Sequence, residues 1–394
     1  MKWVSALSKQ EDIDAAIQEA TEEIIHKLDS KDADLTIIFI APQYKEFYNR
    51  IPDLINRYLT PGVLFGCSAG GIIGNGEEVE QEAAVSITCS KMPGVKIQPF
   101  YSETKELPNQ DTSPSVWRDW LNINIEDQPH FLFLADPFSF RGEEFLAGID
   151  FAYPNSKKVG GLASGAQALG GNALYLKDKI YDRGLIGIAL SGNIELDTIV
   201  AQGCRPIGKP MKITDCQENL LKELDGKPPL EILKNLNETL SDYDKKLLQT
   251  SLFLGIEMDP MKDDPKQGDF LIRNLMGVDR ESGALAIGAL LRTGQLVQFH
   301  LRDKKLSAED LDVMLTRYLS HNQTENASGA LLFSCLGRGK YLYGEANHDS
   351  NMFCNKLGKI PLGGFFCNGE IGPVGNTTFL HGYTSSFGIF RKSN

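Results

Sequence analysis

Val63-Leu64-Phe65-Gly66-Cys67-Ser68-Ala69-Gly70-Gly71 decides the fold, because an apolar run ends in it on a cluster of small residues. A second apolar run, 35–41 (LTIIFIA), stands before it, and a third, 83–89, follows it. Runs of this length rich in β-branched and aromatic residues read as buried strands, and the glycines between them as sharp turns. Residues 42–62 read as a helical crossover. The unit is therefore strand, helix, strand, glycine turn, strand.

The same unit recurs. Residues 131–135 (FLFLA) open a second copy, with a helix-like stretch at 143–153 and then Val159-Gly160-Gly161-Leu162-Ala163-Ser164-Gly165. It closes on 173–176 and 185–191. The step from Ala41 to Gly66 is 25 residues, and so is the step from Ala135 to Gly160. A third copy starts at 330–333, continues through Cys335-Leu336-Gly337-Arg338-Gly339, and reaches Gly363 28 residues after Cys335. Gly369-Glu370-Ile371-Gly372-Pro373 and His381-Gly382-Tyr383-Thr384 end it. Such a unit cannot bury its own faces, so the copies should stack.

Around the copies, Ser8 and Glu11 match a capping box before Ile13, Ala16, Ile17, Ala20, Ile24 and Leu28, which share one helical face. A second helix is expected to open at Ser307, with Asp310 at the box position. Lys227-Pro228-Pro229 starts another, since proline suits a first helical turn. A short helix is expected over 241–250. Residues 204–225 read as a strand pair, and 252–258, 270–274, 284–291 and 296–301 as successive strands. The sequence thus predicts a mixed α/β fold: two domains, 1–228 and 229–394, of repeated units with mixed sheets covered by helices.

Composition limits the function. At 394 residues the chain is long enough for two sizeable cores. Its net charge of −12 argues against nucleic acid as a partner, because phosphate binding needs a basic face. Short lysine pairs such as Lys157-Lys158 read as solvated surface. No stretch reaches the roughly 20 apolar residues of a membrane span, and the N-terminus lacks a secretory apolar region. Seven cysteines, with no Cys-x-x-Cys pair, read as buried free thiols in a reducing cytoplasm. The six histidines show no metal-ligand spacing. Haem on a single axial histidine leaves no spacing signature, so it stays open. No other cofactor is expected.

The runs at 65–71 and 160–165, Pro210-Met211-Lys212-Ile213-Thr214, and above all the pair at 335–339 and 369–373 resemble the FIST sensory domain family. The resemblance extends from about residue 30 to about 385 and covers the family's N-terminal and C-terminal halves. It implies a small-molecule-sensing module, with small metabolites such as amino acids among the family's proposed ligands. It establishes no catalytic activity. Because the FIST-like region takes up nearly all of the chain, output is expected to pass through a separate signalling protein or an oligomer.

Three readings of the chemistry follow. In the first, Arg338 and Glu370 sit on glycine turns at equivalent ends of neighbouring strands and face each other. They form either an internal ion pair or a site in which Arg338 holds a carboxylate and Glu370 an ammonium. Cys335, Gly339, Asn368, His381, Tyr383 and Thr384 complete that candidate ligand site. In the second, a nucleophile acts. Gly66-Cys67-Ser68-Ala69-Gly70 matches the G-x-S-x-G elbow, but a strand pattern follows where the elbow needs a helix. Cys335 has Arg338 three residues away, which favours a thiolate. In the third, the chain is an interaction scaffold with a vestigial ligand site. The first is the expected function; no catalytic residue or metal ligand is assigned.

Overall fold

The computed structural model describes residues 1–321 and 327–393. The first copy begins with β1 (Lys2–Ser8) and α1 (Ile13–Leu28), then β2 (Asp32–Ile40). A 3₁₀ segment, Pro42–Arg50, runs into α2 (Ile51–Tyr58) and returns the chain to β3 (Thr60–Ser68). β2 and β3 pair in parallel, as a helical crossover requires. The hairpin β4 (Gly71–Gly74) and β5 (Glu77–Glu80) follows, then β6 (Val85–Lys91), antiparallel to β2. α1 buries Ile13, Ala16, Ile17, Ala20, Ile24 and Leu28, the face read from the sequence. Its cap is Asp12 rather than Ser8: Asp12 accepts from the Ala15 N–H at 2.9 Å, while Ser8 ends β1 and donates its hydroxyl to Glu19.

The second copy repeats this order. It comprises β7 (Val95–Ser102), α3 (Pro114–Leu121), β8 (His130–Ala135), α4 (Gly142–Ala152), β9 (Lys158–Leu162), the hairpin β10 (Leu174–Leu176) and β11 (Lys179–Tyr181), and β12 (Leu185–Gly192). β8 and β9 are parallel, and β12 returns antiparallel to β8. β13 (Glu195–Ala201) then leads into a different architecture, which separates it from the rest of the third copy.

That architecture is a closed barrel built from β14 (Cys204–Gln217), β15 (Leu220–Leu224), β16 (Leu252–Glu257), β17 (Phe270–Val278), β18 (Leu285–Ile287) and β19 (Leu296–Arg302), in the order β14-β15-β18-β17-β16-β19. Closure removes free strand edges. Leu254, Ile256, Val297, Phe299 and Leu301 fill its core. α5 (Pro229–Thr239) and α6 (Asp242–Thr250) start where proline and Ser241 predict, with Ser241 accepting from the Asp244 N–H at 3.1 Å. α7 (Lys304–His321) opens three residues earlier than expected. Asp303 accepts from Leu306 N–H at 2.9 Å, whereas the buried Ser307 donates its hydroxyl to the Gly203 carbonyl at 2.9 Å.

The third copy resumes with β20 (Ala327–Cys335), α8 (Gly339–Tyr343), α9 (His348–Leu357), β21 (Leu362–Cys367), the hairpin β22 (Glu370–Val374) and β23 (Thr377–His381), and β24 (Ser385–Arg391). β20 and β21 are parallel and β24 returns antiparallel to β20. The chain forms two compact units, drawn differently from the division expected at Pro228. One contains 1–200, 312–380 and 384–394, and so all three copies. The other contains 201–311 with 381–383, and so the barrel.

Within the first unit the copies exchange hairpins in a ring. The sheets run β1-β6-β2-β3-β10-β11, β7-β12-β8-β9-β22-β23 and β13-β24-β20-β21-β4-β5. Each therefore holds four strands of one copy and the hairpin of another. The hairpin of the first copy completes the third sheet, that of the second completes the first, and that of the third completes the second. A lone unit would leave its second parallel strand as an open edge, and the borrowed hairpin covers it.

Glycine makes the parallel pairs close. A Cβ at Gly66, Gly160 or Gly364 would lie 1.9 Å from the carbonyl oxygen of its register partner, Ile38, Phe133 or Leu332. No side chain fits there, so the three glycines mark one structural position repeated three times.

Candidate functional site

The turns that leave the second parallel strands meet one another at the carboxyl ends of those strands, where ligands bind in open α/β sheets. Ser164 Oγ accepts from Gly70 N–H at 2.9 Å and donates to the Phe366 carbonyl; Ser164 N–H donates to the Ser68 carbonyl at 3.3 Å. Asn368 N–H donates to the Leu162 carbonyl at 3.1 Å, and Leu162 N–H to the Gly369 carbonyl at 2.8 Å. Asn368 Nδ2 adds a bond of 3.1 Å to the Ala163 carbonyl. The glycine runs thus tie the three copies together as well as turning the chain.

Arg338 lies just beyond β20, fully buried, with its N–H donating to the Cys335 carbonyl at 2.8 Å. The carboxylate it grips is that of Asp349 in the first turn of α9: Nε to Oδ2 is 2.7 Å and Nη2 to Oδ1 is 3.1 Å. Nη2 also donates to the Tyr343 hydroxyl at 2.6 Å. Asp349 further accepts from Ser334 at 3.3 Å and from Ser385, and lies 3.1 Å from His348 Nδ1. Burial works to raise the Asp349 pKa, but the Arg338 guanidinium and these hydrogen bonds hold it well below the usual carboxylate range. Asp349 thus occupies the place the sequence reading reserved for a ligand carboxylate.

The first copy's hairpin borders this cluster. Glu78 of β5 is buried; its Oε1 accepts from Ser350 N–H at 2.7 Å, and Oε2 has no hydrogen-bond partner among the described residues. Burial, then repulsion from Asp349, pushes its carboxyl up to about 7. Glu80 accepts from the Lys340 N–H at 2.7 Å and packs against Gly339, whose φ of 63° favours glycine.

The remaining residues named from the sequence divide. Cys335 is half-buried; its N–H donates to the Thr384 carbonyl at 3.0 Å and its Sγ accepts from Gly337 N–H at 3.4 Å. Glu370 is buried and accepts from Thr384 N–H at 3.1 Å. Cys335, Arg338, Gly339, Asn368, Glu370 and Thr384 fall in the unit of the three copies, while His381 and Tyr383 are grouped with the barrel. There the Tyr383 ring packs on Phe253 at 4.4 Å, under the Arg302 guanidinium, and its hydroxyl donates to Asn274.

Ser68 is not on a nucleophile elbow. β3 turns into strand β4, not a helix, and the buried Ser68 hydroxyl donates to Asn172 at 3.2 Å while accepting from Ala173 N–H at 2.9 Å. Asn172 in turn donates to Asp136 at 2.9 Å. Burial pushes the Cys67 and Cys367 thiols up, away from thiolate character. Among the described residues no group of three or more His, Cys, Asp or Glu side chains is placed to hold a metal ion. No described helix is long and apolar enough to cross a membrane.

Two clefts open beside these turns. One of about 650 Å³ is lined by the 3₁₀ crossover of the first copy (Lys45, Tyr48, Asn49), the Gly170–Ala173 turn, and Tyr101, Glu103 and Asp182. A second, of about 780 Å³, shares Glu103 and Arg183 with it and extends past Arg141 and Glu144. The sequence reading named none of these as site residues. Lys45 lies more than 100 positions from the Asn172 it joins, and no local pattern signals such a meeting.

Three α/β copies with exchanged hairpins and an interposed barrel are the class of protein that the fold defines. The chain belongs to the FIST family: the FIST N domain matches residues 34–227 and the FIST C domain residues 230–373. FIST domains are sensory domains of signal transduction. The chain is 34% identical over 336 residues to an uncharacterized protein of Mycobacterium tuberculosis, covering 85% of each chain. An uncharacterized protein of Mycobacterium bovis is 33% identical over 345 residues, 87% of each. An F-box/LRR-repeat protein of Arabidopsis thaliana is 24% identical over 235 residues, covering 50% of this chain and 43% of that protein.

Proposed function

We propose that this protein senses a small polar metabolite, such as an amino acid, and passes the signal to a separate protein or through an oligomer. The observation that supports this reading is the 650 Å³ cleft at the carboxyl ends of the parallel strands. Its volume falls within the roughly 300–1,000 Å³ of small-molecule sites. Its lining carries side chains of both signs, Lys45 and Arg183 against Glu103 and Asp182. In this reading Arg338 and Asp349 hold the carboxyl end of β20 in place, and the ligand acts by binding one arrangement of the copies better than another.

A thermal-shift titration tests it, with the purified chain against amino acids and other small polar metabolites. A ligand of the native state raises the melting temperature with dose. A panel in which no compound does so, with a normally folded protein, overturns the reading.

A further inference from the structure

Resting on that reading, we infer that the ligand is a small organic anion, a carboxylate or a phosphate ester, held by Lys45 in the 650 Å³ cleft. The inference comes from the repeated architecture. In the third copy, the crossover after the first parallel strand carries a cation, Arg338, facing the borrowed hairpin of the first copy. That cation already holds a carboxylate, Asp349, at 2.7 Å. In the first copy the crossover after β2 also carries a cation, Lys45, one residue past the position that matches Arg338 and beside the borrowed hairpin of the second copy. Lys45 is exposed and has no ion-pair or hydrogen-bond partner among the described residues. The other charges along this cleft are matched: Asp182 with Arg183 at 2.9 Å and Glu103 with Lys105 at 3.2 Å. One uncompensated cation in a polar cleft attracts an anion.

The floor is built to receive one. Asn172 is 3% exposed and lines the cleft. Its amide is fixed by Ser68 and Asp136, and this uses one of its two N–H groups. Tyr48, 6% exposed, presents a hydroxyl whose bond to the Ala41 carbonyl is long, at 3.4 Å. Gly171 lets the turn fold tightly, since a Cβ there would sit 2.6 Å from the Ala166 Cβ, and Lys45 Nζ lies next to that turn. Tyr101 and Tyr181, stacked at 3.8 Å, supply a flat wall for the uncharged part of the ligand.

Isothermal titration of the full chain with L-glutamate, succinate and glycerol phosphate tests this, alongside neutral and cationic metabolites, using wild type, Lys45→Met and Asn49→Ala. Both variants alter exposed residues, so their melting temperatures without ligand should match wild type. The expected result is that an anionic probe binds wild type and loses roughly tenfold or more in affinity with Lys45→Met, the scale of one charge-assisted hydrogen bond. Glycerol phosphate against the carboxylates identifies the anionic group. An anion that binds Lys45→Met as tightly as wild type overturns the site and leaves the sensory reading standing. Binding only by neutral or cationic compounds overturns the ligand class alone. Silence of every compound overturns both.

Discussion

Arg338 and Asp349 form a two-point ion pair in which neither side chain reaches solvent: Nε meets Oδ2 at 2.7 Å and Nη2 meets Oδ1 at 3.1 Å. The pair joins the end of β20 to the start of α9 across the third crossover. It places a motif arginine in the architecture of the unit.

Removing one partner should therefore cost stability. Arg338→Ala leaves Asp349 buried and uncompensated, and about 3–5 kcal/mol of unfolding free energy should be lost. Arg338→Lys should recover only part of it, because an ammonium cannot match both oxygens in one plane. Denaturant titration measures both. A loss for Arg338→Ala within the error of the titration would contradict a structural role.

Glu78 should make stability depend on pH. Its folded carboxyl, pushed up to about 7 by burial and by Asp349, holds its proton more tightly than the unfolded chain does. The folded state then binds more protons, so stability falls as pH rises from about 4.5 to about 7, by about 3 kcal/mol. The facing groups are Asp349, Glu80 and the Ser350 N–H, with Arg338 behind Asp349. Glu78→Gln should flatten that slope. Melting temperatures across the window, wild type against variant, check it; parallel curves would assign the slope elsewhere.

The glycines of the parallel pairs should not tolerate a methyl group. In Gly160→Ala the added carbon meets the Phe133 carbonyl oxygen at 1.9 Å, so the strands must part. A loss of about 3 kcal/mol or more is expected, at or beyond the upper end of overpacking costs. Gly226→Ala is the control, since nothing lies within 4 Å there and only its φ of 77° resists. Circular dichroism melts compare them.

Thiol labelling should divide the cysteines by burial. Cys216, Cys335 and Cys354 are partly exposed, whereas Cys67, Cys89, Cys204 and Cys367 are buried. Burial pushes the Cys89 thiol up to about 12. In the native protein an alkylating reagent should modify the first three, and the other four only after unfolding. Peptide mass spectrometry reads the sites. Rapid native labelling of Cys67 or Cys367 would mean that the turns open.

The candidate site was only partly legible. The motif at 335–339 marked a buried polar cluster: Cys335 N–H donates to the Thr384 carbonyl and Glu370, on a strand of another sheet, accepts from Thr384 N–H, while the cleft is lined by none of these residues. The partner of Arg338 was not legible, because Asp349 had no feature to set it apart from other acidic helix residues. Lys45 and Asn172, which line the cleft, were not singled out either, because each is ordinary in its own segment. Ser307 was misread as a cap because its hydroxyl goes to Gly203, over 100 residues away.

By itself the sequence determined the central strands, several of the helices and the repetition of the units, but not β1, β7, α3 or the hairpins. Apolar runs, helical spacing and glycine turns are local patterns, and each acts over a few residues. Those patterns, with the motif glycines, also carried the family. Only the tertiary structure decided which edge each hairpin joins, which unit each segment enters, and which charges pair. The physical reason is that a short apolar hairpin has the same backbone donors and acceptors toward any open strand. Its choice of β3, β9 or β21 is made by side-chain packing and turn-to-turn hydrogen bonds between residues far apart in the chain.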